Sequence, residues 1–115
     1  MAVAYSFFEH NPDLAMIPRF VQALETEQGE FVRPALVRAL AAAVARGAGA
    51  AASPAQALLV RDVTRGEDYF RSSVIEALGD YKALYAYAAV TGVAKLDGPL
   101  QDDAALALGK MGDRR

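Results

Sequence analysis

His10 is the only histidine in the chain, and it follows Glu9 directly, so a Ser-His-Asp arrangement would have to be built on that one dipeptide. The residues after it, Asn11-Pro12-Asp13, are turn-forming and polar, which reads His10 as a solvated surface side chain. Two pairs of adjacent carboxylates, Glu67-Asp68 and Asp102-Asp103, are the other acid–base candidates. Neighbours on a helix diverge by about 100°, so neither pair aims at a common point. Each falls in or just before the first turn of an expected helix, where negative charge is favoured by the aligned peptide dipoles. Gly47 and Gly49 lack the Lys-Ser or Lys-Thr that completes a phosphate-binding loop, and there is no cysteine to ligate a metal or form a disulfide. No catalytic residue, metal site or cofactor is expected.

Lysine and arginine number 12 and aspartate and glutamate 14, a formal net charge of −2. The halves on either side of Ala57 carry about the same small negative charge, so no basic domain hides in the average. Nucleic-acid binding draws on clustered positive charge, and the balance argues against it. Met1 to Phe8 holds no lysine or arginine ahead of its apolar residues, unlike a secretory signal. No run approaches the roughly 20 apolar residues of a membrane span. A cytoplasmic protein with no membrane partner is the expectation.

These residues must be positioned by the elements around them, and the sequence repeats. Val32 to Leu40 aligns without gaps with Phe70 to Leu78 and with Leu100 to Leu108, at spacings of 38 and 30 residues. Each block is apolar at its first, fifth and ninth positions and has alanine in the eighth, the spacing of a core-facing helical stripe. Between the blocks, Phe20 to Leu24 aligns with Leu59 to Val63 and with Ala89 to Val93, at spacings of 39 and 30. Two helical segments alternating at one shared period describe a helix pair that must stack on its neighbours to cover its apolar face.

Punctuation agrees with this pattern. Gly79 and Gly109 follow the second and third blocks, where a glycine relieves a left-handed helix end. Ser53-Pro54 reads as an N-cap and first-turn proline, and Pro34 and Pro18 are expected in first turns, unless Pro18 kinks its helix. Helices are expected near residues 3–9 (a short one), 15–27, 31–45, 54–65, 69–78, 82–96 and 100–110, with residues 47–52 as an edge loop. Alanine supplies much of the apolar content and lets helices approach closely.

The three blocks, above all Leu100 through Asp113, resemble the bacterial HEAT-like repeats first grouped with phycobilisome lyases, whose first helix and turn read VRxxAAxALGxxGD. The likeness covers roughly residues 15–113. It departs most in the first block, where Ala41-Ala42-Ala43 replaces the turn. The resemblance implies an all-α fold, an α-solenoid of HEAT-like antiparallel helix pairs stacked as a right-handed superhelix of about three repeats, in one domain over residues 1–115. The chain reaches Met111 to Arg115 where the family pattern would begin another helix. Either it is a fragment of a longer solenoid or another chain, a second copy included, covers that end.

In such repeats the arginine at the second position of the block ties neighbouring repeats together, which implies a structural role for Arg33 and Arg71, with Gln101 third in line. The second helix of each pair lines the concave face. Columns of Thr26, Arg65 and Lys95 and of Gln22, Arg61 and Thr91 are then binding candidates, beside the alternative that they are simply the solvated face of amphipathic helices. Tyr85, in the cluster Tyr81, Tyr85 and Tyr87, is either an interface anchor or core. The HEAT-fold hydroxylases carry repeated His-Glu pairs, which this chain lacks. The expected function is a non-enzymatic protein-binding scaffold. A nucleic-acid-binding relative and an accessory subunit of a bilin lyase-type enzyme are the alternatives that the family brings.

Overall fold

A computed structural model of the chain describes residues 2–26, 29–47 and 52–112. They form seven α-helices: α1 (Ala2–His10), α2 (Ile17–Thr26), α3 (Val32–Ala45), α4 (Ala52–Asp62), α5 (Asp68–Asp80), α6 (Tyr87–Ala94) and α7 (Gln101–Lys110). Short 3-10 turns, Leu14–Met16 and Leu84–Ala86, lead into α2 and α6. No strand occurs among the described residues, and every helical stretch expected from the sequence is present. Principal extents of 36 × 28 × 21 Å and a radius of gyration of 13.1 Å are those of a compact globule.

The odd-numbered helices touch in series, α1 on α3, α3 on α5 and α5 on α7. Among the even ones α2 touches α4, and α4 meets the turn that opens α6. Helix α3 lies at the centre, against α1, α2, α4 and α5, which explains its composition. Leu36, Val37 and Leu40 are buried, and so are Ala39, Ala41, Ala42 and Ala43. A helix enclosed on several sides needs small side chains wherever a neighbour's backbone comes close. The alanines at 41–43 thus extend a central helix to Ala45 where a turn would otherwise fall. Burying each of Leu36 and Leu40 contributes about 1.5–3 kcal/mol. In α2 the burial of Ile17, Phe20 and Leu24 follows helical spacing.

Helix boundaries follow local chemistry. The Asp13 carboxylate accepts the Ala15 N–H at 3.0 Å and starts the turn before α2. Pro18 and Pro34 stand second and third in their helices, where the missing N–H is harmless. Asp68 lies in the first turn of α5 and Asp102 and Asp103 in that of α7. Ser53 lies inside α4, which already begins at Ala52. Helix α4 closes at Asp62 and α6 at Ala94, short of the expected ends, so Arg65 and Lys95 stand just beyond helices rather than in them. Expectations for residues 27, 48–51 and 113–115 lie outside the described residues.

The glycine expectation is corrected. Gly79 lies within α5 and Gly109 within α7, and neither is left-handed. The left-handed residues come three positions later, at Lys82 (φ 52°) and Gly112 (φ 84°). After α5 the Lys82 N–H donates to the Gly79 carbonyl and the Ala83 N–H to the Leu78 carbonyl, the paired bonds of a Schellman ending. Gly79 is small for another reason: a Cβ placed there would lie 2.8 Å from Ala107 Cα, on α7. Lys82 bears a left-handed conformation that a side chain disfavours. Replacing it with glycine is expected to stabilise the fold by about 0.5–1 kcal/mol, read as a raised urea midpoint. An unchanged or lowered midpoint would show that the Lys82 side chain stabilises this turn.

Candidate functional site

The even-numbered helices end along one edge, where each hands over to the next odd one. Arg71 Nε donates to the Val63 carbonyl at 2.8 Å and Gln101 Nε2 to the Ala94 carbonyl at 3.2 Å. These two aligned residues therefore make similar bonds, to acceptors one register step apart, from the start of an odd helix to the end of the preceding even one, where carbonyls are left over. Arg33 behaves differently. Its guanidinium lies 3.8 Å from the centre of the Phe70 ring, a cation–π contact from α3 to α5, with Glu67 at 3.8 Å.

Of the binding candidates, Gln22, Thr26, Arg61, Arg65 and Lys95 are exposed. Arg65 and Lys95 have no ion pair among the described residues, and they hold corresponding places at the ends of α4 and α6. Arg61 is committed locally, since its Nε donates at 3.1 Å to Asp62, a buried carboxylate. The Thr26 hydroxyl turns back onto the Gln22 and Ala23 carbonyls at 3.3 Å. Thr91 is half-buried, and its hydroxyl is enclosed without a hydrogen-bond partner among the described residues. Tyr85 packs against the core, and burial pushes its phenol up to about 12. It lines a depression of about 260 Å³ with Tyr81, Lys82 and Gln56. Gln22 and Thr26 share a cleft with each other but with none of the remaining candidates.

Away from that edge, the odd-numbered helices are tied together by a charged lattice that the sequence did not announce. Arg38 on α3 donates from Nε to Glu9 Oε2 of α1 at 2.8 Å and from Nη2 to Asp80 Oδ2 of α5 at 2.9 Å. Its Nη1 lies 3.5 Å from Glu76 Oε1. The Tyr81 hydroxyl donates to the same Glu9 oxygen at 2.6 Å, and Lys110 Nζ on α7 donates to Asp80 Oδ1 at 2.7 Å. All four odd helices are joined. Burial pushes Glu9 up, but the bonds from Tyr81 and Arg38 outweigh it and hold the carboxyl below its ordinary range. The Lys110 bond, aided by Arg38 and opposed by burial, does the same for Asp80. Burial and the bond to Glu9 raise Tyr81 to about 12. Carboxylates held ionised and a phenol held protonated exchange no proton near neutrality, so this lattice fastens helices rather than performing acid–base chemistry. His10, the candidate histidine, is exposed at the end of α1. No group of three or more His, Cys, Asp or Glu residues is placed to hold a metal ion among the described residues.

An apolar cleft of about 560 Å³ lies between α1 and α2. Its floor is Tyr5, Phe8 and Phe20, with ring centres 5.8 Å apart for Tyr5–Phe20 and 5.4 Å for Phe8–Phe20, both edge to face. Met16 and Ala23 complete the apolar wall, and Arg19, Gln22 and Thr26 stand exposed at the rim. Beside it, α1 exposes Val3 (84%) and Phe7 (60%) to solvent. Sequence reasoning missed this cleft because whether an apolar helix face is covered depends on what packs outside it. Only the arrangement shows that their outer side is left open. No described helix is long and apolar enough to cross a membrane.

Comparison of the chain with protein-family models, with curated proteins and with solved structures gave no match.

Proposed function

We propose that this chain is a non-enzymatic protein-binding module: a HEAT-like stack of about three helix pairs in a right-handed superhelix, offering the side of α2, α4 and α6 to a partner. The serial contacts of the odd-numbered helices and the similar bonds of Arg71 and Gln101 support the stack. One observation carries the binding reading: Arg65 and Lys95 stand exposed at corresponding ends of α4 and α6, without ion pairs among the described residues. Cations at helix C-termini gain from the dipole but need no partner of their own, so both remain free for one. Along the same edge Glu67, Asp68, Asp97 and Asp102 are also exposed, a mixed field that suits a protein surface better than a run of phosphates.

The test is a charge reversal, Arg65→Glu with Lys95→Glu. Arg61 is left intact, because removing it would strand the buried Asp62 carboxylate. Crosslinking pull-down with the double variant is expected to lose the proteins captured by the wild-type chain while thermal unfolding stays cooperative and its midpoint falls by only a few degrees, the cost of about 0.3–1 kcal/mol for reversing each charge near a helix C-terminus. A capture profile unchanged from wild type would overturn the placement.

A further inference from the structure

We infer that the cleft between α1 and α2 is a docking groove for an amphipathic helix of a partner protein whose apolar stripe is edged by carboxylates. This rests on the protein-binding reading and names the chemistry of what is bound. At about 560 Å³ the cleft exceeds the depressions of about 260 and 200 Å³ elsewhere on the described surface, and its floor is fixed by the edge-to-face contacts of Phe20 with Tyr5 and Phe8. A floor held in place in advance costs little ordering on binding.

The shape suits a helix. Met16 in the turn that opens α2, then Phe20 and Ala23 within it, recur about one turn apart, and the lining reaches Thr26. Ten residues of helix rise about 15 Å, the length against which roughly three turns of a partner helix can lie. Ala23 makes the wall shallow at its middle, the place for one leucine-sized anchor. A small molecule is a poorer fit, since a trough open along its length leaves such a ligand largely in water. The same helix pair also holds a helix on another side, where α3 packs against both α1 and α2.

Charge selects among helices. Among the described residues Arg19 is the only charged one lining the cleft, it is exposed, and it has no ion pair. No carboxylate lines the cleft among those residues. An acidic edge on the incoming helix pairs with Arg19, and a basic one meets it as a like charge.

The experiment is fluorescence anisotropy on the full chain with two fluorescein-labelled helical peptides, each with leucines on one face. One has glutamates flanking the stripe and the other lysines. The wild-type chain is expected to bind the glutamate peptide about tenfold more tightly than the lysine peptide. Ala23→Arg, which fills the wall, and Gln22→Arg, on the exposed rim, are each expected to alter binding while melting remains cooperative, with Ala23→Arg losing about tenfold or more. Arg19→Glu is expected to reverse the preference between peptides. Four outcomes overturn the groove: neither peptide bound; both bound equally; binding indifferent to Ala23→Arg and Arg19→Glu in folded variants; or capture by phosphatidylcholine vesicles in place of peptide. Self-association of the chain that Ala23→Arg abolishes would give the cleft to a second copy and overturn the foreign helix. Failure here with the Arg65→Glu, Lys95→Glu effect intact removes the groove and leaves the binding module. Loss of the latter alone removes the even-helix face and leaves the groove.

Discussion

Alanine in place of Gly79 is expected to destabilise the fold by about 1–3 kcal/mol, while alanine at the repeat-equivalent Gly109 is expected to stabilise it by about 0.5–1 kcal/mol. Both glycines are helical, so alanine gains the same backbone entropy at each. The surroundings set the sign. A Cβ on Gly79 would lie 2.8 Å from Ala107 Cα, 2.9 Å from its Cβ and 3.3 Å from its carbonyl oxygen. These atoms belong to the α7 backbone or its first side-chain carbon and cannot rotate away, so α5 and α7 must part. Parting them also loosens the Ser72–Asp103 hydrogen bond (2.9 Å) and the Lys110–Asp80 pair (2.7 Å) that join the same helices. At Gly109 nothing lies within 4 Å of the added carbon. Urea unfolding of both variants followed by circular dichroism checks the pair of signs. Ala107→Gly in the Gly79→Ala background should return part of the loss, with a coupling above about 0.5 kcal/mol because the two residues touch. A neutral Gly79→Ala would mean that the helices separate without cost and that close approach does not explain this glycine.

That contrast also shows how far a sequence can be read. All seven helical stretches were legible, because apolar spacing, alanine content and proline positions are local properties that agree with one another. The aligned glycines signalled a shared role, and the role inferred was the wrong one: the left-handed ending falls at Lys82 and Gly112, also an aligned pair, which lysine conceals. The equivalence of Arg71 and Gln101 was legible as position, and their bonds to Val63 and Ala94 give it a geometry. The lattice around Arg38 was not legible. Its partners lie 29 and 42 residues away, and Tyr81 and Glu9 lie 72 apart, separations at which no periodic pattern survives. The aligned residues at the Arg38 position, Glu76 and Leu106, share no chemistry that would have marked it. The α1–α2 cleft was hidden for a related reason. Whether an apolar stripe is covered depends on what lies outside it, and α1 reads from sequence as a short helix of little consequence.

Arg38→Met should therefore cost more than a surface arginine usually does, about 2–3 kcal/mol at neutral pH. The substitution keeps most of the aliphatic stem and deletes the charge. Glu9, Glu76 and Asp80 then lose a common cation, and Glu9, the least exposed of the three, keeps the Tyr81 hydroxyl as its hydrogen-bond donor among the described residues. The value is held to this range because Glu76 is 65% exposed and Asp80 30%, so water screens part of each pairing. The pH dependence separates this cause from lost packing. Glu9 and Asp80 are held below their ordinary values of 4.5 and 3.8 in the folded chain. A carboxyl depressed on folding adds stability that is present above its ordinary value and lost as pH falls through the folded one. Wild-type stability should thus decline from about pH 4.5 downward, and the gap to Arg38→Met should narrow over the same range as the carboxylates that Arg38 holds become neutral. Urea midpoints at neutral pH and at steps below pH 5 measure both curves. A gap that stays constant down to pH 3 would assign the cost to the lost stacking of the guanidinium over Tyr81, whose ring centre lies 5.6 Å from the guanidinium carbon. A gap that closes places it in the ionic clasp between α1, α3 and α5. In that case loosening the clasp frees α1, and since α1 forms one wall of the apolar cleft, peptide affinity in the cleft should fall with the same pH.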